Sequence, residues 1–446
     1  MPPAAQWREI YRRFEPETPA KPAWRAERQD SPIPRLRRAL NAKLGARQVY
    51  FMGSVGTGKS TELLRLAEGR QAEDFVVLLD LVHHFEQVVG DGPALHRVSA
   101  WELCFLAAVT VWRAAEAQLH HRWEPELGER LMKAWARVAK ATGEASPEGP
   151  SIDVSALAKS MVIQASAAVG GPVGAGLAML ASATNARWSL PLGVTKGALP
   201  DQDPAMQGLL EAANEIIRAV QREYRPLLLV LDGLDRITDP GRIKALFVES
   251  ALFSRLDCTL VICGPNLRSE LIAPLIRDFE VKVLPNEPVL SHDDPADLSR
   301  RGPGILFFRQ VYAARVKDLE GASLAEEHLD ELAYYSGGQV RMFIKLIRSL
   351  AQEVVSEGAA EVTAQHVEAA LDEQRRLLEM GLTRGHIALL EQVMDDPAHR
   401  LPDDDRVWKL LGSLQLAPYP NESEWYYPHP LLLRSLLRRP RPGSPG

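Results

Sequence analysis

The sequence predicts an α/β fold, built on a doubly wound sheet of five parallel strands and followed by a helical region and a small helix–hairpin unit. Three observations predict it. Short apolar runs alternate with helical patterns between residues 47 and 285. A glycine-rich loop separates the first run from its helix, and helical periodicity dominates after residue 300. With 46% hydrophobic and 25% charged residues, the chain has the composition of a globular protein.

Five short segments are predicted as the strands, because they are rich in apolar and β-branched residues. The third is a continuous apolar run, which is typical of a parallel strand buried on both faces. In chain order they are "RQVYFM", "DFVVLLDL" (74–81), "PLLLVL" (226–231), "CTLVICGP" (258–265) and "VKVLP" (281–285).

The stretch "GSVGTGKST" follows the first strand and precedes the helical pattern "STELLRLAEG". A GxxxxGK[ST] pattern between a strand and a helix predicts a phosphate-binding loop, because its glycines let backbone N–H groups approach phosphate oxygens. The helix N-terminus adds partial positive charge. Lys59 is predicted to reach the β- and γ-phosphates, and the Ser60 hydroxyl to ligate Mg²⁺. The predicted nucleotide-binding residues are Gly53, Ser54, Val55, Gly56, Thr57, Gly58, Lys59, Ser60 and Thr61; the predicted cofactors are ATP or ADP with Mg²⁺.

A metal-site acid is predicted at Asp232, at the carboxyl end of the third strand, where ligands bind in such sheets. We expect Asp232 to hold Mg²⁺ through water. Asp235 is the candidate to polarise the attacking water, and a cap or an ion pair is the alternative role for it. Many hydrolytic proteins with such a phosphate-binding loop carry Glu directly after the metal-site Asp. This chain has Gly233 at that position, which leaves the rate of hydrolysis open.

Two further polar residues follow later strands. Asn266 comes after the fourth strand, where it could contact the γ-phosphate or the attacking water. Arg277 ends the helix before the last strand, and an arginine there could reach the nucleotide of a neighbouring subunit. The alternative for Arg277 is a solvated surface position.

The order of these motifs resembles the AAA+ and STAND group of P-loop ATPases. "DGLD" resembles the metal-site motif of STAND proteins, including NACHT types, and "SGGQVRMFIKLIRSLAQEV" with "VTAQHVEAAL" is similar to the lid of origin-recognition initiator ATPases. The resemblance implies that Arg341 is a sensor of the nucleotide phosphates. The residues agree, because a cation in a helix's first turn opposes the helix dipole unless an anion lies nearby. The alternative for Arg341 is an ordinary surface arginine.

The C-terminus shows helix, helix, hairpin and helix in "TRGHIALLEQVMDD", "DDRVWKLLGSLQL", "APYPNESEWYYPHP" and "LLLRSLLRR". This order resembles a winged-helix domain. Its second helix carries only Arg406 and Lys409 behind an acidic run, which argues against tight DNA binding. The STAND resemblance implies that His429 binds ADP phosphates and locks a closed state. The alternative is a histidine at a helix terminus before Pro430.

The predicted organisation is an N-terminal arm (1–44), a P-loop NTPase core (45–290), a helical lid (300–378) and a winged-helix-like domain (379–440). Residues 141–205 are predicted to be an insertion in the core. Residues 160–186 carry no charge and are rich in Ala, Gly and Ser. Two interpretations stay open: small-residue helices packed within the protein or an oligomer, and membrane contact.

Net charge and cysteine content limit the classes of function that the protein can have. The net charge of −6 and pI of about 6.1 provide no overall basic field for nucleic acid. Cys104, Cys258 and Cys263 form no paired motif and are expected to be reduced. The N-terminus lacks the apolar run of a secretory signal, so we expect a cytoplasmic protein, with membrane association as the alternative.

Three functions are compatible with these features. The first, by resemblance, is a STAND-type regulatory ATPase that slowly hydrolyses ATP and acts in signalling or anti-phage defence through self-association or an effector protein. The second is an initiator-like ATPase that binds or remodels DNA. The third is a membrane-associated assembly formed through the insertion.

Overall fold

The computed structural model describes residues 3–44, 47–89, 92–142, 163–165, 178–180, 200–319, 324–420 and 424–437. The strands in chain order are β1 Gln48–Met52, β2 Phe75–Asp80, β3 Ile163–Ala165, β4 Ala178–Leu180, β5 Leu227–Asp232, β6 Thr259–Cys263, β7 Glu280–Val283, β8 Leu416–Tyr419 and β9 Trp425–Pro428.

The helices in chain order are α1 Pro3–Arg13, α2 Ile33–Asn41, α3 Lys59–Glu68, α4 Leu81–His83, α5 Ala100–Leu119, α6 Pro125–Ala141, α7 Pro204–Glu223, α8 Pro240–Phe247, α9 Ser269–Leu275, α10 Ile305–Val316, α11 Glu326–Tyr335, α12 Val340–Glu357, α13 Ala364–Glu379, α14 Arg384–Asp395 and α15 Arg406–Gly412. Short 3₁₀ turns and one π-helical turn are Pro22–Trp24, His84–Val89 (π), Gly92–Arg97, Leu234–Arg236, Phe253–Arg255 and Pro430–Arg434.

The chain divides into two compact units. The first, which we call the sheet unit, contains residues 32–52 and 62–283. The second, which we call the lid unit, contains residues 1–31, 53–61 and 284–446. The lid unit therefore includes the glycine-rich loop, residues 1–31 of the predicted arm, which we call the N-terminal segment, and the whole C-terminal region. Residues 32–44 of the predicted arm belong to the sheet unit.

The sheet unit is a doubly wound α/β structure with strand order β3-β4-β2-β5-β6-β1-β7. The five predicted strands, β2, β5, β6, β1 and β7, all pair in parallel. Every residue of β5 is buried, as its continuous apolar sequence requires. The short strands β4 and β3 extend the sheet beyond β2, and β3 is antiparallel to β4.

Helices α5, α6 and α7 pack together in the sheet unit. Helix α5 is apolar on nearly all sides and is buried over most of its length. It begins with a capping box, in which the Ser99 backbone N–H donates to the Glu102 carboxylate at 2.7 Å. Cys104, Cys258 and Cys263 are buried free cysteines of this unit.

The lid unit is helical. Helix α1 packs on α12, and Trp7, Ile10 and Phe14 of the N-terminal segment are buried in the same core as α10 to α13. Helices α14 and α15, the β8–β9 hairpin and the Pro430–Arg434 turn follow. The segment predicted as a final helix is a 3₁₀ turn over its described residues, and the winged-helix assignment stays a prediction.

Most of the predicted insertion and of the uncharged segment 160–186 lies outside the described residues, apart from β3 and β4. Within the described ranges, the structure contains no helix with the length and apolar character to cross a bilayer. The membrane interpretation of residues 160–186 therefore stays a prediction.

Candidate nucleotide-binding site

The predicted phosphate-binding loop connects β1 to α3, which begins at Lys59. Gly56 has φ 85° and Gly58 has φ 98°, a left-handed conformation that side chains other than glycine rarely adopt. A Cβ at Gly56 would also lie 2.9 Å from the Cβ of Arg341. Gly58, the second glycine of the GxxxxGK[ST] motif, and Gly56, which lies between the two motif glycines, are therefore both required by backbone conformation, and Gly56 by close packing as well.

Hydrogen bonds within the loop fix its shape. The Lys59 ammonium donates to the carbonyl of Gly53 at 2.8 Å and to that of Ser54 at 2.9 Å. The Thr57 hydroxyl donates to the Ser54 carbonyl at 3.0 Å. Thr57 and Lys59 are buried, at 0% and 4% exposure. The loop thus carries one compact cation at the start of a helix, an arrangement suited to phosphate oxygens.

Arg341, the residue that the initiator resemblance assigns as a sensor, packs against this loop. Its backbone N–H donates to the Gly56 carbonyl at 2.9 Å. Its guanidinium lies beside the N-terminal segment, with Nε 3.3 Å from the Pro16 carbonyl and Nη2 3.4 Å from the Glu17 carboxylate. The structure therefore brings the first turn of α12 and the phosphate-binding loop into direct contact.

We expect Arg341→Ala to weaken nucleotide binding about ten- to a hundredfold, because a hydrogen bond to a charged group contributes about 1.5–3 kcal/mol. Arg348→Ala is a matched control, because Arg348 lies in the same helix and pairs with Glu15 of the N-terminal segment. Titration of a fluorescent ATP analogue measures both variants. Equal nucleotide affinities of the two variants would show that Arg341 does not contribute to nucleotide binding.

Arg28 is a contact of the loop that sequence analysis missed. It lies in the N-terminal segment, where arginines are too frequent for one to be distinguished. Its Nη1 donates to the Thr57 carbonyl at 2.6 Å and its Nη2 to the Pro285 carbonyl at 2.8 Å, while Nε pairs with Glu287 at 2.5 Å. The Arg28 side chain is buried, with 4% exposure.

Asp232, the predicted metal-site acid, is the last residue of β5 in the sheet unit and is 8% exposed. Its neighbour in the sheet is Asp80, the last residue of β2, which pairs with it in register. In-register residues of parallel strands lie about 4.8 Å apart, so two carboxylates stand at the same edge of the sheet. Asp80 also caps α4, accepting from the His83 backbone N–H at 3.0 Å.

Asp80 lies within the predicted second strand (74–81), one residue before its end, and sequence analysis assigned it no role in the site. The signal that could have identified it is its position, since it ends an apolar run just as Asp232 does. Strand order was needed to show that the two runs are neighbours, and strand order follows from long-range pairing rather than from local sequence.

The other predicted residues of the sheet unit occupy separate positions. Asp235 lies in the 3₁₀ turn that follows Gly233. Asn266 is exposed and lies three residues after β6, the strand between β5 and β1. Arg277 is exposed beyond α9, and its Nε donates to the Pro274 carbonyl at 3.4 Å. The catalytic roles of Asp235 and Asn266, and the contact of Arg277 with a neighbouring subunit, stay predictions.

His429 is fully buried in the lid unit, where its Nδ1 accepts from the Leu431 backbone N–H at the start of the last 3₁₀ turn. The backbone of Gly337 lies so close that a Cβ there would be 2.9 Å from the imidazole. Burial lowers the pKa of His429 to about 4. These contacts give His429 a capping and packing role; its contact with nucleotide phosphates stays a prediction.

The lowered pKa predicts an acid-sensitive fold. Unfolded histidine titrates near pH 6.5, so below that pH the unfolded chain binds a proton that buried His429 does not. The free energy of unfolding should therefore fall by about 2 kcal/mol between pH 7 and pH 5 through this residue alone. Denaturant unfolding at both pH values should show a smaller decrease for His429→Asn, whose side-chain oxygen can still accept from Leu431. The exposed-site control His96→Asn should behave as wild type.

The predicted ligands of a nucleotide-bound Mg²⁺ carry oxygen atoms of the kind that this ion prefers. Within the described residues, no three His, Cys, Asp or Glu side chains are grouped as metal ligands. Mg²⁺ bound to nucleotide keeps several waters and needs only one or two protein oxygens. The Ser60 hydroxyl and the Asp232 carboxylate are oxygens of the kind it prefers.

No protein-family model matches the chain, and no curated protein matches its sequence. Among solved structures, the chain is similar to Drosophila ORC bound to DNA, with 10% identity, a TM-score of 0.40 and coverage of 95% of this chain and 89% of that one. It is similar to the Aeropyrum pernix ORC2 protein in its ADP form, with 14% identity, a TM-score of 0.39 and coverage of 94% of each chain.

A third similar structure is the Thermotoga maritima RuvB Holliday junction branch migration motor, at 14% identity and a TM-score of 0.28, over 52% of this chain and 84% of that one. At these identities and TM-scores the likeness carries no conclusion about function. The parallel sheet, the glycine-rich loop between β1 and α3, and the helical C-terminal region give the chain an α/β P-loop NTPase fold.

Proposed function

We propose that this protein is a P-loop ATPase of AAA+ type that works as a nucleotide-dependent switch. One observation carries the proposal: the phosphate-binding loop is packed into the lid unit, where the Arg341 backbone donates to Gly56. A change in the loop on binding or releasing phosphate is thereby transmitted directly to α12. The helical region would report whether ATP or ADP is bound.

In this proposal Lys59 and the backbone N–H groups of the loop bind the β- and γ-phosphates. Ser60 and Asp232 hold the accompanying Mg²⁺, which neutralises phosphate charge when bound. Arg341 leaves its contact with Glu17 to pair with a phosphate. Asp235 orients the attacking water, and Asp80 is the alternative residue for that role because it stands beside Asp232 at the edge of the sheet.

Hydrogen exchange tests the switch. We would compare amide exchange of residues 337–348 with ADP and with a slowly hydrolysed ATP analogue, in wild type and in Lys59→Ala. The proposal expects a difference between the two nucleotides in wild type and none in the variant. Identical exchange with both nucleotides in wild type, at saturating concentration, would reject the switch while leaving nucleotide binding intact.

The helix, helix and hairpin order of α14, α15, β8 and β9 favours a second candidate, an initiator-like ATPase that binds DNA. The charges of α15 oppose it, because Arg406 is paired with Asp404 at 2.6 Å. Fluorescence anisotropy with a DNA duplex at several salt concentrations tests it. Affinity that falls steeply with salt and is lost in Lys409→Ala would favour DNA binding through α15.

A more specific form of the proposed switch is a STAND-type ATPase. Such a protein would act in signalling or defence through self-association or an effector protein. Light scattering with ATP and with ADP would distinguish an assembling switch from one that stays monomeric.

Membrane association through residues 160–186 would show as co-flotation with anionic lipid vesicles that a deletion of residues 150–200 removes.

A further inference from the structure

The N-terminal segment contacts the phosphate-binding loop at two points, one on either side of Lys59. Arg28 donates to the Thr57 carbonyl at 2.6 Å. The Ala20 backbone N–H donates to the Thr61 hydroxyl at 3.3 Å. Residues 20–28 thus lie along the loop and form part of its packing.

The contact of Arg28 with Thr57 fixes the orientation of one peptide group. In a trans peptide the carbonyl and the following N–H point in opposite directions. Because Arg28 fixes the Thr57 carbonyl, it also fixes the Gly58 N–H, which points away from Arg28. Gly58 has φ 98°, and glycine populates positive and negative φ about equally, so its own backbone preference does not fix the orientation of this peptide.

Arg28 is itself held rigidly. Its guanidinium bonds to the Pro285 carbonyl and pairs with Glu287, which is 12% exposed, and it lies over the ring of Phe307 at 5.3 Å. A planar guanidinium can make these contacts at once, because its donors point in fixed directions. A lysine at this position could serve only part of them.

We propose that Arg28 is a positioning residue for nucleotide binding: it orients the Thr57–Gly58 peptide so that the Gly58 N–H is directed toward a bound phosphate. This inference rests on the proposed function. It gives the N-terminal segment a defined part in the site, through the backbone of the loop rather than through contact with the nucleotide.

The test compares three variants. Arg28→Met removes every polar contact, Arg28→Lys keeps the charge opposite Glu287, and Arg13→Met is the matched control. Arg13 also ties the N-terminal segment to the C-terminal part of the lid unit, bonding to the Arg315 carbonyl at 2.8 Å and to Asp318. Both methionine variants should lose stability, which thermal unfolding would record.

Only the Arg28 variants should affect the loop. We expect Arg28→Met to raise the dissociation constant of a fluorescent ATP analogue at least tenfold, Arg28→Lys to give an intermediate value, and Arg13→Met to match wild type. Without nucleotide, amide exchange of residues 54–59 should be faster in Arg28→Met than in Arg13→Met. If Arg28→Met fails to fold, the intermediate affinity of Arg28→Lys still tests the inference.

The outcomes separate the inference from the function on which it rests. If wild type binds no nucleotide, the proposed function fails, and faster loop exchange in Arg28→Met alone would still support positioning of the peptide. If both methionine variants show the same exchange and the same affinity, Arg28 is a structural residue and the inference is wrong.

Discussion

Lys59→Ala should abolish ATP binding at micromolar protein and nucleotide concentrations. In the loop from Gly53 to Thr61, Lys59 is the one cationic side chain, and it is buried at the N-terminus of α3. Alanine removes the charge that would face the β- and γ-phosphates and leaves only backbone donors. We expect at least a hundredfold loss of affinity in a fluorescent ATP titration and no measurable hydrolysis.

Arg65→Ala is the matched control for this variant, since Arg65 lies in the same helix and pairs with Glu62 at 3.3 Å. Thermal unfolding must accompany the titration, because Lys59 also bonds to two carbonyls of its own loop. A folded Lys59→Ala protein that hydrolyses ATP at the wild-type rate would show that the loop does not bind the reacting nucleotide.

Asp232→Asn should reduce magnesium-dependent hydrolysis at least a hundredfold while nucleotide binding persists within about tenfold. The substitution preserves shape and removes the negative charge that is expected to attract the metal. Because Asp232 ends a fully buried strand, an isosteric change is less disruptive than alanine. Phosphate release at several Mg²⁺ concentrations measures the effect.

Asp80→Asn and Asp235→Asn, assayed in parallel, assign the residue that orients water. The variant that has lost the water-orienting carboxylate should have a lower turnover number and an unchanged dependence on Mg²⁺. Asparagine at Asp80 still offers an oxygen to the His83 N–H, so the cap is preserved. Hydrolysis by Asp232→Asn at the wild-type rate would place the metal at another acid.

The five parallel strands could be predicted because each is a short apolar run with clear ends. β5 is observed at Leu227–Asp232 against a predicted 226–231, and the other four agree to within two residues at each end. The phosphate-binding loop could also be predicted, since two of its glycines, Gly56 and Gly58, are demanded by local backbone conformation. Features set by neighbouring residues in the chain leave a signal in the sequence.

Helix α1 was missed although it has a local signal. Trp7, Ile10 and Phe14 recur at helical spacing and are buried, but arginine and proline dominate the composition of the first 44 residues. The roles of Arg28 and Asp80 left no such signal. Each depends on which distant segment lies beside it, Glu287 for Arg28 and Asp232 for Asp80, and pairing at such sequence separation is decided by the whole fold.

The lid unit is built from three segments that are separated in the sequence, and this affects how it forms during synthesis on the ribosome. Chains emerge at about 5–20 residues per second, so the phosphate-binding loop leaves the ribosome many seconds before residues 284–446, with which it packs. During that interval the N-terminal segment and the loop have no partner from the C-terminal region. We expect nascent chains stalled before residue 284 to be cut readily by protease within residues 1–31 and 53–61, and released full-length chains to resist.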